Sequence, residues 1–312
     1  MQTLLRSTHA YKLLKTDGER GAFSHAYLLL FDDPRNLRTA VKTFAKLFFD
    51  DERAQTLVES ETFSDCLFFP DPDKKFVVED AERVAEECTL KPVEGDKKVF
   101  VIADFAEATP AAQNKLLKLL EEPPKGVVFL LGASTSYPVL PTVLSRVKRL
   151  EIPPFDVKQV ADCLSRMYGN AEGDGFSLCA AASGGSVGAA QNMLEGGAYK
   201  SLVDDAFSLL LVSPDGVPAL VKRVGETKRK KELLSLLRLI FRDALVLKSN
   251  ADDRHIFLRS QTARLSRIAE KYPLPALVKA QDFLSAAERQ LAFNAVFPQC
   301  LEVLLGNISE VV

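Results

Sequence analysis

No two cysteines in this 312-residue chain are spaced as CxxC, and none of the five, at 66, 88, 163, 179 and 300, has a histidine close by. Neither a zinc site nor a disulfide framework is supported, and a reducing cytosol is the expected setting. No apolar run reaches the roughly 18 residues of a membrane span, and the N-terminal stretch carries Arg6, Lys12 and Lys15. A cytoplasmic protein without membrane contact is expected, so Asn307-Ile308-Ser309 fits a glycosylation pattern by chance. The net charge of -2 leaves no overall electrostatic footprint for nucleic acid. Any such contact has to come from local patches. Glycine is missing between Phe31 and Asp50, which bears on phosphate binding below.

What is present is an alternation of strand and helix patterns, concentrated between Lys98 and Phe155. Val99 to Ala103 is too short for a helix and reads as a buried strand that delivers Asp104 at its C-terminal edge. Thr109 suits a helix N-cap and Pro110 the first helical position; leucines at 116, 117, 119 and 120 follow until Pro123 and Pro124 stop the helix. A second strand, Val127 to Leu131, leads through Gly132 into a polar loop. From Leu140 the sequence LPTVLSRV places Ser145 and Arg146 just before another short apolar-basic strand. Strands alternating with helices predict a parallel sheet with helices on both faces.

Upstream, residues 1 to 24 predict a helix and a glycine-containing turn, and His25 to Leu30 a strand. A nucleotide-binding αβ protein carries a glycine-rich loop at such a strand-to-helix junction, because backbone N–H groups cradle phosphates there. Here the junction reads FDDPRN, and Asp32 and Asp33 would repel a phosphate. A structural loop with a charged tip is the plainer reading. Residues 50 to 75 look acidic and irregular, Phe76 to Val78 suggests a short strand, and Glu79 to Leu90 a helix with Cys88 in the core.

At 312 residues, two or three domains are expected. After Pro153-Pro154 the pattern becomes helical. Helices are predicted over Phe155 to Met167, Gly173 to Ala182, and from an N-cap at Ser186 to about Glu195, with a hinge at Gly196-Gly197. Beyond Lys200 only helical periodicity remains, strongest from Glu232 to Ser249, with a final pair over Pro275 to Phe293 and Val296 to Gly306. The basic run around Lys222 to Lys231 reads as a solvated helix start.

Ala112-Gln113-Asn114, the run LLKLLEEPP and LPTVLSR resemble the clamp-loader AAA+ family. His25-Ala26-Tyr27-Leu28, Leu90-Lys91-Pro92 with Gly95, Ser183-Gly184-Gly185-Ser186, Asn294-Ala295-Val296 and Leu301-Glu302 follow in that family's order. The resemblance implies an α/β plus all-α chain: an AAA+ parallel-sheet domain over 1–154, a small helical lid over 155–197, and a helical collar over 198–312 that joins a five-subunit ring. Asn294 and Glu302 would then lie at the collar interface. By the same resemblance, the phosphate-loop lysine and threonine fall at Leu37 and Arg38, and its glycines at Phe31, Pro34 and Asn36. The first acidic residue for metal falls at Ala103, with Asp104 next to it, the lid's nucleotide-sensing arginine falls at Ala189, and only Cys66 remains of a four-cysteine zinc module.

No cofactor and no metal are therefore expected. Ser145-Arg146-Val147 matches the family's Ser-Arg-Cys motif, whose arginine reaches a neighbouring subunit's ATP site. A guanidinium is always charged and offers a planar fork of donors suited to a γ-phosphate. The bland alternative is a surface arginine paired with a carboxylate such as Glu151. The resemblance implies a non-ATPase stator that donates Arg146, supported by Ser145, with ATPase subunits of the tau/gamma type and a clamp-opening delta-type subunit as partners. Lys115 and Lys118 are candidates for primer-template phosphates, against the alternative of solvated lysines. The rivals are an AAA+ ATPase with a divergent phosphate loop and a structural relative such as a delta-type subunit.

Overall fold

The computed structural model describes residues 1–169, 174–195, 199–249 and 256–311. Two compact units divide it, Met1–Pro154 and Phe155–Val312. The first opens with α1 (Gln2–Ser7) and α2 (His9–Glu19). Where one helix is predicted, Thr8 makes two, because its extended backbone interrupts the run and its side chain caps the second by accepting from the Tyr11 N–H at 3.2 Å.

The sheet and its helices follow as β1 (Ala26–Phe31), α3 (Pro34–Ala45), α4 (Glu52–Glu59), β2 (Cys66–Phe69), α5 (Val78–Glu87), β3 (Lys98–Ile102), α6 (Pro110–Glu121), β4 (Val127–Ala133), α7 (Pro141–Leu144) and β5 (Lys148–Ile152). All four pairings are parallel, in the order β2-β3-β4-β1-β5. The register aligns Ala26 with Phe129, Tyr27 with Lys148, and Lys98 with Val127. Every residue of β3 and β4 is buried, as expected of strands covered on both faces.

On one face Leu28, Phe100, Ile102, Phe129 and Leu131 meet Ala112, Leu116 and Leu120 of α6 in one core, where the rings of Phe100 and Phe129 stack with centroids 5.6 Å apart. On the other, α3 buries Leu37, Ala40, Val41 and Phe44, spaced i, i+3, i+4, i+7. The predicted strand at Phe76 to Val78 is absent. Val78 starts α5, and the edge strand comes earlier, as Cys66–Phe69 inside the stretch expected to be irregular. Its four residues between Asp65 and Pro70 are too few to show a period. Cys66 and Cys88 are buried, and burial pushes the Cys88 thiol up to about 12, which suits a packing role.

The second unit holds α8 (Val157–Tyr168), α9 (Asp174–Ala182), α10 (Val187–Glu195), α11 (Tyr199–Leu211), α12 (Val217–Gly225), α13 (Lys230–Lys248), α14 (Thr262–Lys271), α15 (Leu274–Ala292) and α16 (Phe297–Ser309). Ser186 caps α10 by accepting from the Ala189 N–H at 3.1 Å. Leu233, Leu236, Leu237, Ile240 and Ala244 of α13 are all fully buried. The hinge at Gly196-Gly197 and the helix start at Gly173 lie outside the described residues. No helix among the described residues is long and apolar enough to cross a membrane.

Gly132 sits where β4 passes closest to α3 and to the end of β3. A Cβ there would lie 2.5 Å from Val41 Cγ1 and 2.6 Å from the Ala103 carbonyl oxygen. Neither the central strand nor that carbonyl can yield cheaply, so Gly132→Ala should destabilise the chain by about 1–3 kcal/mol, measured by urea unfolding.

Candidate functional site

In an open parallel sheet, ligands bind beyond the C-terminal ends of the strands, where the strand order reverses. Here that point is β1, flanked by β4 and β5 although the chain leaves it for the far edge at β2. The loop after β1 is therefore where a nucleotide's phosphates belong. It is filled by the protein itself. Asp33 is wholly buried and caps α3, accepting from the Asn36 backbone N–H at 3.2 Å and from its side-chain amide at 3.0 Å. Pro34 at the first helical position brings no N–H at all. A helix N-terminus attracts anions through unsatisfied N–H groups, and this one holds its own carboxylate. Asp32 is exposed beside it.

Arg38 and Lys42 of α3, and Lys46 just after it, are paired with groups outside that loop. Arg38 donates to both oxygens of Glu61, its Nε at 2.7 Å, and to the Pro70 carbonyl at 3.1 Å. Lys42 reaches Glu61 at 2.8 Å and the Glu59 carbonyl at 3.0 Å, and Lys46 pairs with the Glu59 carboxylate. Burial alone would raise the Glu61 carboxyl, but hydrogen bonds from Arg38 and Lys42 carry it below the usual range. Leu37 is 2% exposed and packed in the core.

Asp104 stands just past β3. Its Oδ1 is buried without a hydrogen-bond partner. Burial, with the negative charge of Glu107 nearby, raises its carboxyl above the ordinary value. Lys75, whose charge opposes this rise, is itself paired with Glu107 at 2.6 Å.

The segment leading to Arg146 is arranged differently. Thr109 caps α6, accepting from the Ala112 N–H at 3.2 Å. One residue on, the buried Gln113 side chain donates to the carbonyls of Ala108 at 3.2 Å and Pro138 at 3.1 Å and accepts from the Leu140 N–H at 2.9 Å. This ties the first turn of α6 to both sides of the Pro138–Leu140 bend, and so fixes where α7 starts. Val143 anchors α7 in the core. Ser145 then ends it, donating to the Thr142 carbonyl at 3.0 Å.

The Arg146 guanidinium lies over that last turn. Its Nη1 donates to the Thr142 carbonyl at 2.7 Å and to Ser145 Oγ at 3.0 Å, and its Nη2 meets Glu121 at 2.7 Å, with the two side chains 34% and 48% exposed. A carboxylate partner is therefore present, but on α6 and not at Glu151.

Residues 6–156 match a family model described as DNA polymerase III, delta subunit. That match takes in just under half of the chain. The chain is 30% identical over 163 residues to the DNA polymerase III subunit delta' of Bacillus subtilis, which covers 49% of this chain and 49% of that protein. It is 21% identical over 325 residues to the tau subunit of the same organism, covering 92% of this chain and 57% of that one. The chain thus spans less than two thirds of either relative's length. Among solved structures, a gamma subunit-related protein of Thermotoga maritima aligns over 96% of this chain and 99% of its own, with 18% identity and a TM-score of 0.42.

The structure brings Ser145 and Arg146 together with Thr142 and Glu121. Lys115 lies on α6, paired with Glu82 of α5 at 3.0 Å, and Lys118 is exposed on the same helix. Asn294 and Glu302 belong to the second unit. Asn294 is exposed with φ 60° in the bend before α16, between Phe293 at 86% and Val296 at 58% exposed, and Glu302 is exposed on α16. Sequence reasoning missed what Gln113 and Glu121 do. The available signal for Gln113 was an amide on the helix face that carries Ala112, Leu116 and Leu120 inward; for Glu121 it was a carboxylate at the C-terminal, negative end of a helix.

Loss of the Glu61 carboxylate should leave the two α3 cations facing each other across a half-buried site. Glu61→Gln should therefore unfold at lower urea than the parent at pH 7. A lowered carboxyl pKa stabilises the fold above the ordinary carboxyl range and ceases to as pH falls through the lowered value. The gap between the two proteins should close on acidification across that window, as denaturant midpoints against pH would record.

Proposed function

We propose that this chain is a delta-prime-type subunit of a DNA polymerase III clamp loader, without an ATP site of its own, that offers Arg146 to the nucleotide of a neighbouring ATPase subunit. The observation that carries this reading is the contrast between the loop after β1 and the segment leading to Arg146. The phosphate position is taken by Asp33, whereas Arg146 stands at the surface just past a helix whose start is braced by Gln113. A head-to-tail contact uses two different surfaces. The arginine face needs preserved chemistry, and the phosphate-loop face of a terminal subunit does not.

In this reading residues 155–197 are the lid and 198–312 the collar, with Asn294 and Glu302 on the collar interface. Tau/gamma-type and delta-type subunits are the partners, in the cytoplasm. Primer-template DNA would meet α6 at Lys118 first, since Lys115 already has Glu82.

The geometry makes Arg146 removable without loss of a core contact. Arg146→Ala should melt like the parent and lower the DNA-stimulated ATPase of the reconstituted complex roughly tenfold or more; an unchanged rate would return Arg146 to a surface ion pair. Equilibrium titration with a fluorescent ATP analogue addresses the ATPase alternative. The isolated chain should not bind it in the micromolar range, and micromolar affinity would favour a divergent phosphate loop.

A further inference from the structure

The Glu121–Arg146 pair sits in an electrostatically odd place. Glu121 is the last residue of α6 and Glu122 its C-cap, so two carboxylates stand where the helix's own carbonyls concentrate negative charge. Carboxylates favour the opposite end of a helix and are unfavourable here. Glu121 is answered by the Arg146 Nη2 at 2.7 Å. Helix stability alone gives no reason for a glutamate at 121, since a neutral or basic residue would suit that position better.

Arg146 itself is held in two ways. Its Nη1 is fixed by the Thr142 carbonyl of α7 and by Oγ of Ser145, the C-cap of that helix. Those contacts travel with α7 and set the direction of the guanidinium. Glu121 is the contact that comes from another element, and it takes an edge of the planar fork that a phosphate would need.

Resting on the proposed arginine role, we infer that Glu121 is the stand-in anion for Arg146: it occupies the guanidinium while the neighbouring nucleotide is absent and is exchanged for a phosphate oxygen on assembly. Glu121 is thus a positioning residue that sets how readily Arg146 is released. A half-exposed pair of this kind is weak enough to exchange and strong enough to compete.

The test is a double-mutant cycle in the reconstituted complex, titrating this chain and reading the half-saturating concentration from DNA-stimulated ATPase and from fluorescence-anisotropy association. Glu121→Gln should lower that concentration about two- to fivefold, with a melting temperature equal to or above the parent's. In the Arg146→Ala background the same substitution should shift nothing. A raised or unmoved midpoint for Glu121→Gln, or an equal shift without Arg146, overturns the exchange. If Arg146→Ala lowers the rate while Glu121→Gln is silent, only the exchange fails; if Arg146→Ala itself leaves the rate unchanged, the arginine role fails with it.

Discussion

The N-terminus of α3 has unsatisfied backbone N–H groups that require an acceptor, and Asp33 supplies it from inside the chain. Much of the first unit follows from that choice. The loop after β1 stays short because it wraps a side chain and not a ligand. With its start fixed, α3 lies with Leu37, Ala40, Val41 and Phe44 under the sheet, close enough to β4 that Gly132 has no room for a methyl group. A phosphate entering this place would have to displace a carboxylate that is 0% exposed and uncap the helix as it did so. An N-cap is worth about 0.5–2 kcal/mol, and the entering anion would also meet Asp32.

Charge on this unit is divided according to whether its partner is internal. Arg38 and Lys42 on α3, and Lys46 just after it, are met by Glu59 and Glu61 within one local layer. Asp104 is the opposite case, a carboxylate kept without a compensating cation of its own, which raises its pKa through burial and through Glu107. Its position past β3 suits a metal ligand, but the flanking Ala103 cannot share that task.

The broad plan was legible because its signals are periodic. Val99 to Ala103 and Val127 to Leu131 announce themselves as unbroken apolar runs, and Thr109-Pro110 marks the start of α6 through chemistry that needs no tertiary context. Cys66–Phe69 escaped because an edge strand of four residues carries neither run nor alternation long enough to outweigh the acidic stretch around it. Thr8 escaped for the reverse reason: its side chain competes locally with the helix and wins. At the site, Arg146 could be singled out from its motif. Its partner could not, since Glu121 and Glu151 are equally plausible in one dimension, and only the packing of α6 beside α7 selects the first.

Magnitudes separate the mount of Arg146 from its tip. Gln113 is buried with three hydrogen bonds, and breaking any one leaves a buried polar group unsatisfied, at about 1–3 kcal/mol each. Fluctuations that large are rare, so the Pro138–Leu140 bend and α7 keep their place. The Glu121 pair is half in solvent and worth about 0–1 kcal/mol. Thermal motion opens it readily. The guanidinium is thus stiff at its base, where direction is set, and loosely held at its edge, where a partner's anion would bind. A rigid arginine without Glu121 would be left without the carboxylate that meets its Nη2. A loosely mounted one would lose the alignment that gives a planar fork its advantage over a lysine.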